Sequence, residues 1–309
     1  MKEIAIIDIG SNTVRLVIYQ ISQGLKYDVL VNHKEAVRLR NYVKDNKLTE
    51  EGIEKLRRVL NVFTAILHKD NISKEHTTFF ATQTIRMIDN QEDVVSQMEQ
   101  EFNISIEVFS EEKESLLGYK GMNTFLVHED EGLYVDLGGG STEIVHFKDD
   151  EALDYHCFDF GSVVLRSIIE HPIPTEDEIS YLKSYLYAKF EQVPWLRAIK
   201  TPLVVVGGSS RNLVRIDRFI TKRDEETHGY RLGLREIKRI RKILMLLNLE
   251  EIQNIKGFTK SRSDIIIPSI LVFEMLYEYI KADYYVCSRT ALREGVLVDM
   301  MEEMSWIKQ

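Results

Sequence analysis

The stretch IIDIGSNTVR, residues 6–15, decides how this chain is read. A β-branched run carries Asp8 near its end, a glycine follows at position 10, and Ser11, Asn12 and Thr13 precede a second apolar run. Strand, tight turn and strand is the reading such a pattern supports. The same phrase returns as YVDLGGGSTEIV, residues 134–145, with Asp136 in place of Asp8 and Gly138, Gly139 and Gly140 leading into Ser141 and Thr142. One Asp–Gly turn between strands is an ordinary hairpin; two copies, each set between apolar strands, indicate a duplicated device.

A turn of this kind aims several backbone N–H groups at one point, and glycine keeps a Cβ out of an anion's way. The hydroxyls and amide of the small polar residues add further donors. Gly10, Ser11, Asn12 and Thr13 in the first copy, and Gly138, Gly139, Gly140, Ser141 and Thr142 in the second, are therefore the expected phosphate-binding residues. Three consecutive glycines exceed what a turn with a single left-handed residue requires. The strand-ending acids are unsuited to phosphate itself but suit a hydrated Mg2+ bridging to it, because Mg2+ takes carboxylate oxygens and keeps several waters. Asp8, Asp136 and Glu143 are the expected ligands of that ion.

A third glycine pair, Gly207 and Gly208 followed by Ser209, closes the buried-looking strand in LVVVGGSSRNL (203–213). It reads either as a turn into a helix that takes a base or a further phosphate, or as a plain strand-to-helix connection.

Around these motifs the first fifty residues read as a β-meander, with strands over 3–8, 14–21 and 27–38. The period changes at Thr49, where Ile53, Leu56, Val59, Leu60, Phe63, Ile66 and Leu67 fall at helical spacing behind a Thr–Glu–Glu start. Strands follow at 77–81 and 104–109, with a helix at 92–102 and another from 112. The second half runs strand, turn, strand, a helix over 175–192, a strand at 202–206, helical segments at 234–247 and 265–280, a strand at 284–287 and a closing helix from 292. The expected fold is α/β, two actin-like (ribonuclease H-like) lobes, residues 1–124 and 125–309, facing each other across a phosphate-binding cleft.

Composition sets the outer bounds. The 309 residues are 44% hydrophobic, enough for sizeable cores, and 40 basic against 49 acidic residues give a formal charge of −9. That balance argues against a general affinity for nucleic acid or anionic membrane, so any polyanion must be held locally. Cys157 and Cys287 stand in no zinc or disulfide spacing, no window approaches the roughly 18–20 apolar residues of a membrane span, and a cytoplasmic location is expected.

With its motifs in view, the sequence resembles the exopolyphosphatase and guanosine pentaphosphate phosphohydrolase family, within the actin, sugar-kinase and Hsp70 superfamily. DIGSNT and DLGGGSTE match the two phosphate loops and VVVGGSSRNL the third superfamily motif. ATQTIR (81–86) is similar to the family's Thr-x-x-x-Arg stretch, and RSDIIIPS (262–269) with ALREGVL (291–297) to its C-terminal signature. The resemblance implies a glutamate in the interlobe helix that activates the attacking water. Aligning FSEEKESLLGYKG (109–121) puts Glu114, before the small Ser115, in that role. Glu111 stands where the family has glycine and Lys113 where it has the first acid of a pair, which keeps Glu112 as an alternative. All three acids also suit a solvated helix start. A second departure is AVRLRNYVKD (36–45), bulkier and more basic than the family's small loop.

The resemblance implies Mg2+-dependent removal of the terminal phosphate from polyphosphate or pppGpp, with Arg86 neutralising charge on the phosphoryl oxygens. A catalytically weak sensor of these ligands is the alternative, and a sugar or acetate kinase ranks third. Longer relatives carry an additional helical domain of the HD type, and this chain is expected to hold the two-lobed core alone. Lys34, Arg38, Arg40, Arg211, Arg215 and the stretch 231–242 are candidates for a basic track, the last being more simply the solvated face of an amphipathic helix. A homodimer is expected, and FEMLYEYIKADYY (273–285) reads as core packing or as part of the dimer contact.

Overall fold

The structure, a computed structural model, describes residues 2–22, 24–126, 129–197 and 199–304. In the first part of the chain β1 (Lys2–Ile9), β2 (Val14–Ser22) and β3 (Lys26–Glu35) form an antiparallel meander. A two-stranded ribbon, β4 (Val43–Lys44) and β5 (Lys47–Leu48), leads to helix α1 (Glu50–Lys69). Then come β6 (Thr77–Ala81), the short α2 (Gln83–Arg86), α3 (Gln91–Phe102), β7 (Ile106–Val108) and α4 (Glu111–Phe125). The later strands join in parallel, giving the sheet order β3-β2-β1-β6-β7.

Burial explains why these residues make these elements. β1 and β2 are covered on both faces, which is why their apolar runs are nearly continuous rather than alternating. β3 is an exposed edge strand that carries several charged residues. It ends at Glu35, short of the expected 38, because Arg38 takes a left-handed φ of 52° that no strand accommodates. The Thr49 side chain accepts from the Gly52 N–H and caps α1, whose residues Ile53, Leu56, Leu60, Phe63 and Leu67 pack on the sheet.

The second part repeats the plan. β8 (Glu131–Leu137), β9 (Thr142–Lys148) and β10 (Glu151–Phe158) form another antiparallel meander. α5 (Ser162–Ser167) and α6 (Glu176–Glu191) follow, then β11 (Leu203–Val206), parallel to β8, and α7 (Gly207–Thr221). The remainder is β12 (Tyr230–Leu232), α8 (Leu234–Leu244), α9 (Leu249–Gln253), α10 (Ile266–Ile280), β13 (Tyr285–Cys287) and α11 (Leu292–Glu303). The sheet order is β10-β9-β8-β11-β13-β12. α10 is buried nearly all round, so the aromatic stretch beginning at Phe273 is core packing of this part. Among the described residues no helix is long and apolar enough to cross a membrane.

The compact units are Met1–Glu114 with Arg293–Gln309, and Ser115–Leu292. The sequence alone divides the chain after residue 124 and leaves the final helix with the second lobe. The observed units part within α4 and at the start of α11, because Arg293 and Glu294 bond to Asp8 and Tyr19 of the first sheet.

Candidate functional site

Each meander opens with the same turn. In the first unit the Gly10 N–H donates to Thr13 O at 3.1 Å; in the second the Gly138 N–H donates to Ser141 O at 3.0 Å. A Cβ built on Gly10 would stand 3.0 Å from Thr13 O, and one on Gly138 would stand 3.1 Å from Ser141 O. Glycine is thus favoured at both positions by the close approach of a carbonyl. None of Gly10, Gly138, Gly139 and Gly140 has a positive φ, so the left-handed residue expected of such a turn is absent from both.

The neighbouring chain then ties the loop carbonyls back. Arg38 N–H donates to Asn12 O at 3.0 Å and Arg40 N–H to Ser11 O at 3.4 Å. In the second unit Gly138 O accepts from Ser162 N–H at 2.9 Å and from Ser162 Oγ at 2.9 Å, and Gly139 O accepts from Val163 N–H at 2.8 Å. Gly161 makes this possible, since a Cβ there would meet Gly139 O at 2.6 Å and Gly140 N at 2.6 Å. Among the described residues nothing accepts from the N–H groups of Ser11, Asn12 and Thr13, nor from those of Gly139, Gly140 and Ser141. Asn12, buried like Ser11, has an Oδ1 without a hydrogen-bond partner. Two loops whose carbonyls are engaged and whose consecutive N–H groups are not have the donor pattern of an anion nest. Thr142 serves the second loop indirectly, donating to Phe160 O at 2.6 Å.

ATQTIR supplies α2, which ties the first loop to the acid of α4. Thr84 Oγ1 donates to Ser11 Oγ at 2.7 Å, with Gln83 Oε1 3.5 Å from the same Ser11 Oγ. Arg86 Nη1 donates to Glu114 Oε2 at 2.7 Å and to Phe109 O at 2.8 Å. The two residues expected to act in catalysis therefore form one ion pair, with side chains only 15% and 11% exposed. Ser110 Oγ, accepting from the Lys113 N–H at 3.1 Å, starts α4 so that Glu114 turns inward, whereas Glu111 and Glu112 are exposed.

Asp8 is bound to a residue that sequence reasoning quoted but gave no role. Arg293 Nη1 donates to Asp8 Oδ2 at 2.7 Å, while Asp8 Oδ1 faces the Gly10 turn. Burial alone would pull the Arg293 guanidinium down; the charges of Asp8 and Glu294 more than reverse this and hold it above its ordinary value. Glu294 in turn accepts from the Tyr19 hydroxyl at 3.1 Å.

In the second unit Asp136 and Glu143 are direct partners across β8–β9, hence on one face of the hairpin. Gly207 (φ 92°) leaves Asp136 its room, since a Cβ there would lie 3.2 Å from Asp136 Oδ1. Among the described residues no group of three potential ligands gathers. Mg2+ needs one or two carboxylates beside phosphate and water. The Asp136–Glu143 pair fits that demand; Asp8, with Oδ2 held by Arg293, has Oδ1 to offer. The third glycine motif is a direct connection from β11 into α7. The Arg262 guanidinium lies over Gly208, and Ser209 Oγ donates to Ser269 Oγ at 2.9 Å.

Sheet order, duplicated turns and strand-ending aspartates define an α/β protein of the actin-like class. The chain belongs to the Ppx/GppA phosphatase family, whose model matches residues 17–304. The crystal structure of an exopolyphosphatase from Cytophaga hutchinsonii is similar, with a TM-score of 0.88 and 26% identity, covering 98% of each chain. A guanosine-5'-triphosphate,3'-diphosphate pyrophosphatase of Pseudoalteromonas translucida is 26% identical over 97% of this chain and 59% of its own length. A bifunctional 3-dehydroquinate synthase/phosphatase of Fusobacterium nucleatum is 25% identical over 96% of this chain and 46% of its own length. The chain thus spans about half the length of these two relatives.

Proposed function

We propose that the protein is a Mg2+-dependent phosphoanhydride hydrolase that removes the terminal phosphate of inorganic polyphosphate or of pppGpp. The observation that carries this reading is the pair of N–H-presenting turns, one in each unit, each beside a strand-ending aspartate. Such nests hold phosphate oxygens without conferring a preference for what lies beyond them. The named relatives support the reading, since one is an exopolyphosphatase and another acts on a guanosine polyphosphate.

In this reading the backbone N–H groups of Ser11, Asn12 and Thr13, and of Gly139, Gly140 and Ser141, bind phosphate oxygens, while Gly10, Gly138 and Thr142, whose donors are spent on Thr13 O, Ser141 O and Phe160 O, hold the two loops in shape. Asp136 and Glu143 would hold Mg2+ in the second unit, and the ion would supply charge neutralisation to the phosphates; in the first unit Asp8 Oδ1 is the carboxylate oxygen beside the Gly10 turn. Phosphoryl oxygens compete with Glu114 for Arg86. The exchange turns the guanidinium toward developing charge and frees Glu114 to orient water and take its proton. Gly207 leaves room for Asp136, and Gly208 and Ser209 form the start of α7.

The closed Arg86–Glu114 pair favours a second reading, a sensor that binds polyphosphorylated ligands without hydrolysing them, because a carboxylate oxygen engaged by guanidinium is not available to water. Phosphate release with Mg2+, measured on long-chain polyphosphate and on pppGpp, separates the two. Sustained release supports the hydrolase; saturable binding without release supports the sensor. Chelation by EDTA is expected to abolish release and added Mg2+ to restore it.

A further inference from the structure

The third glycine motif runs into a helix whose accessible side is rich in arginine. Arg211, Arg215 and Arg218 recur on α7 at spacings of four and three, so they share one face. The segment from Tyr285 to Arg289 lies against the beginning of that helix. Ser288 N–H donates to Val205 O at 3.0 Å, and Ser210 Oγ bonds the Tyr285 hydroxyl and lies 3.0 Å from Cys287 Sγ. Exposed Arg289 therefore joins the stripe, and Arg211, Arg215 and Arg289 all act on the buried Cys287 thiol.

The balance of charge here is unusual for a chain of net charge −9. Arg218 is matched by Asp224 at 3.0 Å. Half-buried Arg215 bonds neutral oxygens, Asn212 Oδ1 at 3.3 Å and Thr259 Oγ1 at 3.2 Å. Among the described residues neither Arg215 nor Arg289 pairs with a carboxylate. Burial first, and then the like charges of Arg289 and Arg218, hold Arg215 below its ordinary value. Asn212, fully buried, accepts on Oδ1 from Arg215 and from the Thr259 N–H, leaving its Nδ2 without an acceptor. Two neighbouring guanidinium groups without a carboxylate partner, Arg215 and Arg289, form a planar, multi-donor receptor for an oxyanion from outside.

We propose that Arg215 and Arg289, assisted by Arg211, form an anion-binding station on α7 for a phosphate group of the substrate remote from the one hydrolysed. The identity of that substrate rests on the proposed function; the station itself does not. At about 1.5 Å rise per residue, Arg215 lies about 12 Å along the helix from Gly207. A ligand reaching both needs a chain of several phosphates or a second phosphorylated position, so long-chain polyphosphate and pppGpp share the required chemistry.

The test is calorimetric binding of tripolyphosphate, long-chain polyphosphate and pppGpp in EDTA to wild-type protein, Arg289→Glu and Arg215→Gln, with circular dichroism checking the fold. Arg289→Glu is expected to weaken long-chain polyphosphate or pppGpp by about tenfold or more, leaving tripolyphosphate unchanged; the probe that suffers identifies the ligand. Arg215→Gln should act in the same direction, and exposed Arg289 carries the test alone where that variant fails to fold. Unchanged affinity for both larger probes, an equal loss for tripolyphosphate, or no binding of any probe to wild type overturns the station. Phosphate release is scored separately with Mg2+. Its absence, with this pattern of affinities intact, would sink the hydrolase reading and leave the station standing.

Discussion

Gly161 backs the second glycine loop from the start of α5, and a single methyl group tests that role. A Cβ at Gly161 would press on the backbone of Gly139 and Gly140, which has no side chain to move aside. Gly161→Ala is expected to destabilise by about 1–3 kcal/mol and to weaken phosphate binding, read by thermal melting and by calorimetry. A variant that melts and binds like wild type would show that the loop is not held from behind by α5. Gly161 was not legible in the sequence, because a lone glycine gives no sign of which backbone it will touch. Glu112 is the complementary case: it is exposed, so Glu112→Gln should leave any phosphate release unchanged, and a large loss would transfer the base from Glu114 to Glu112.

Among the elements, α6 has the most explicit start signal. Thr175 Oγ1 accepts from the Glu178 N–H at 3.2 Å, and Glu178 accepts from the N–H groups of Thr175, His171 and Glu170. Burial alone would push the Glu178 carboxyl up; the three backbone bonds outweigh it and bring the group from its usual 4.5 to about 2. A depressed carboxyl stabilises above its unfolded value and loses that contribution as pH falls toward the folded one. Glu178→Gln should therefore lower the melting temperature at pH 7, with the difference shrinking from about pH 4.5 down to about 2. A pH-independent difference would contradict this. β13 gives the opposite sign: burial pushes the Cys287 thiol from 9 up to about 11, so its contribution is full below pH 9 and is lost as pH rises toward 11. Cys287→Ala should flatten the alkaline fall in melting temperature; an identical fall would remove the thiol as its cause.

Helix α1 and the two glycine turns were legible because periodicity and capping are local facts, complete within some twenty residues. β10 is not legible in the sequence: five of its eight residues are exposed, Leu153 and Tyr155 among them, so no buried apolar run marks it, and its pairing with β9 makes it a strand. The same limit hid the partners Thr84 and Arg293. Their bonds to Ser11 and Asp8 join residues far apart in the chain, and only the parallel pairing of β6 with β1 and the packing of α11 bring them together.

The whole molecule comprises two units, each with its own N–H-presenting turn. A ligand that binds only the folded protein should raise its stability by about 2.7 kcal/mol at a hundredfold excess over Kd. Long-chain polyphosphate or pppGpp with Mg2+ should produce such a shift in both wild type and Glu114→Gln, since Glu114 is assigned to turnover rather than to affinity. No shift in either protein would contradict the phosphate nests themselves.

The most direct test of the central claim is inorganic phosphate release with Mg2+ from long-chain polyphosphate and from pppGpp, in parallel, by wild type and Glu114→Gln. The account predicts release from at least one substrate by wild type and a loss on the order of 10²–10⁴-fold in the variant, with binding retained. Equal turnover by the two proteins would remove Glu114 from the mechanism, and binding without release by wild type would make the protein a sensor.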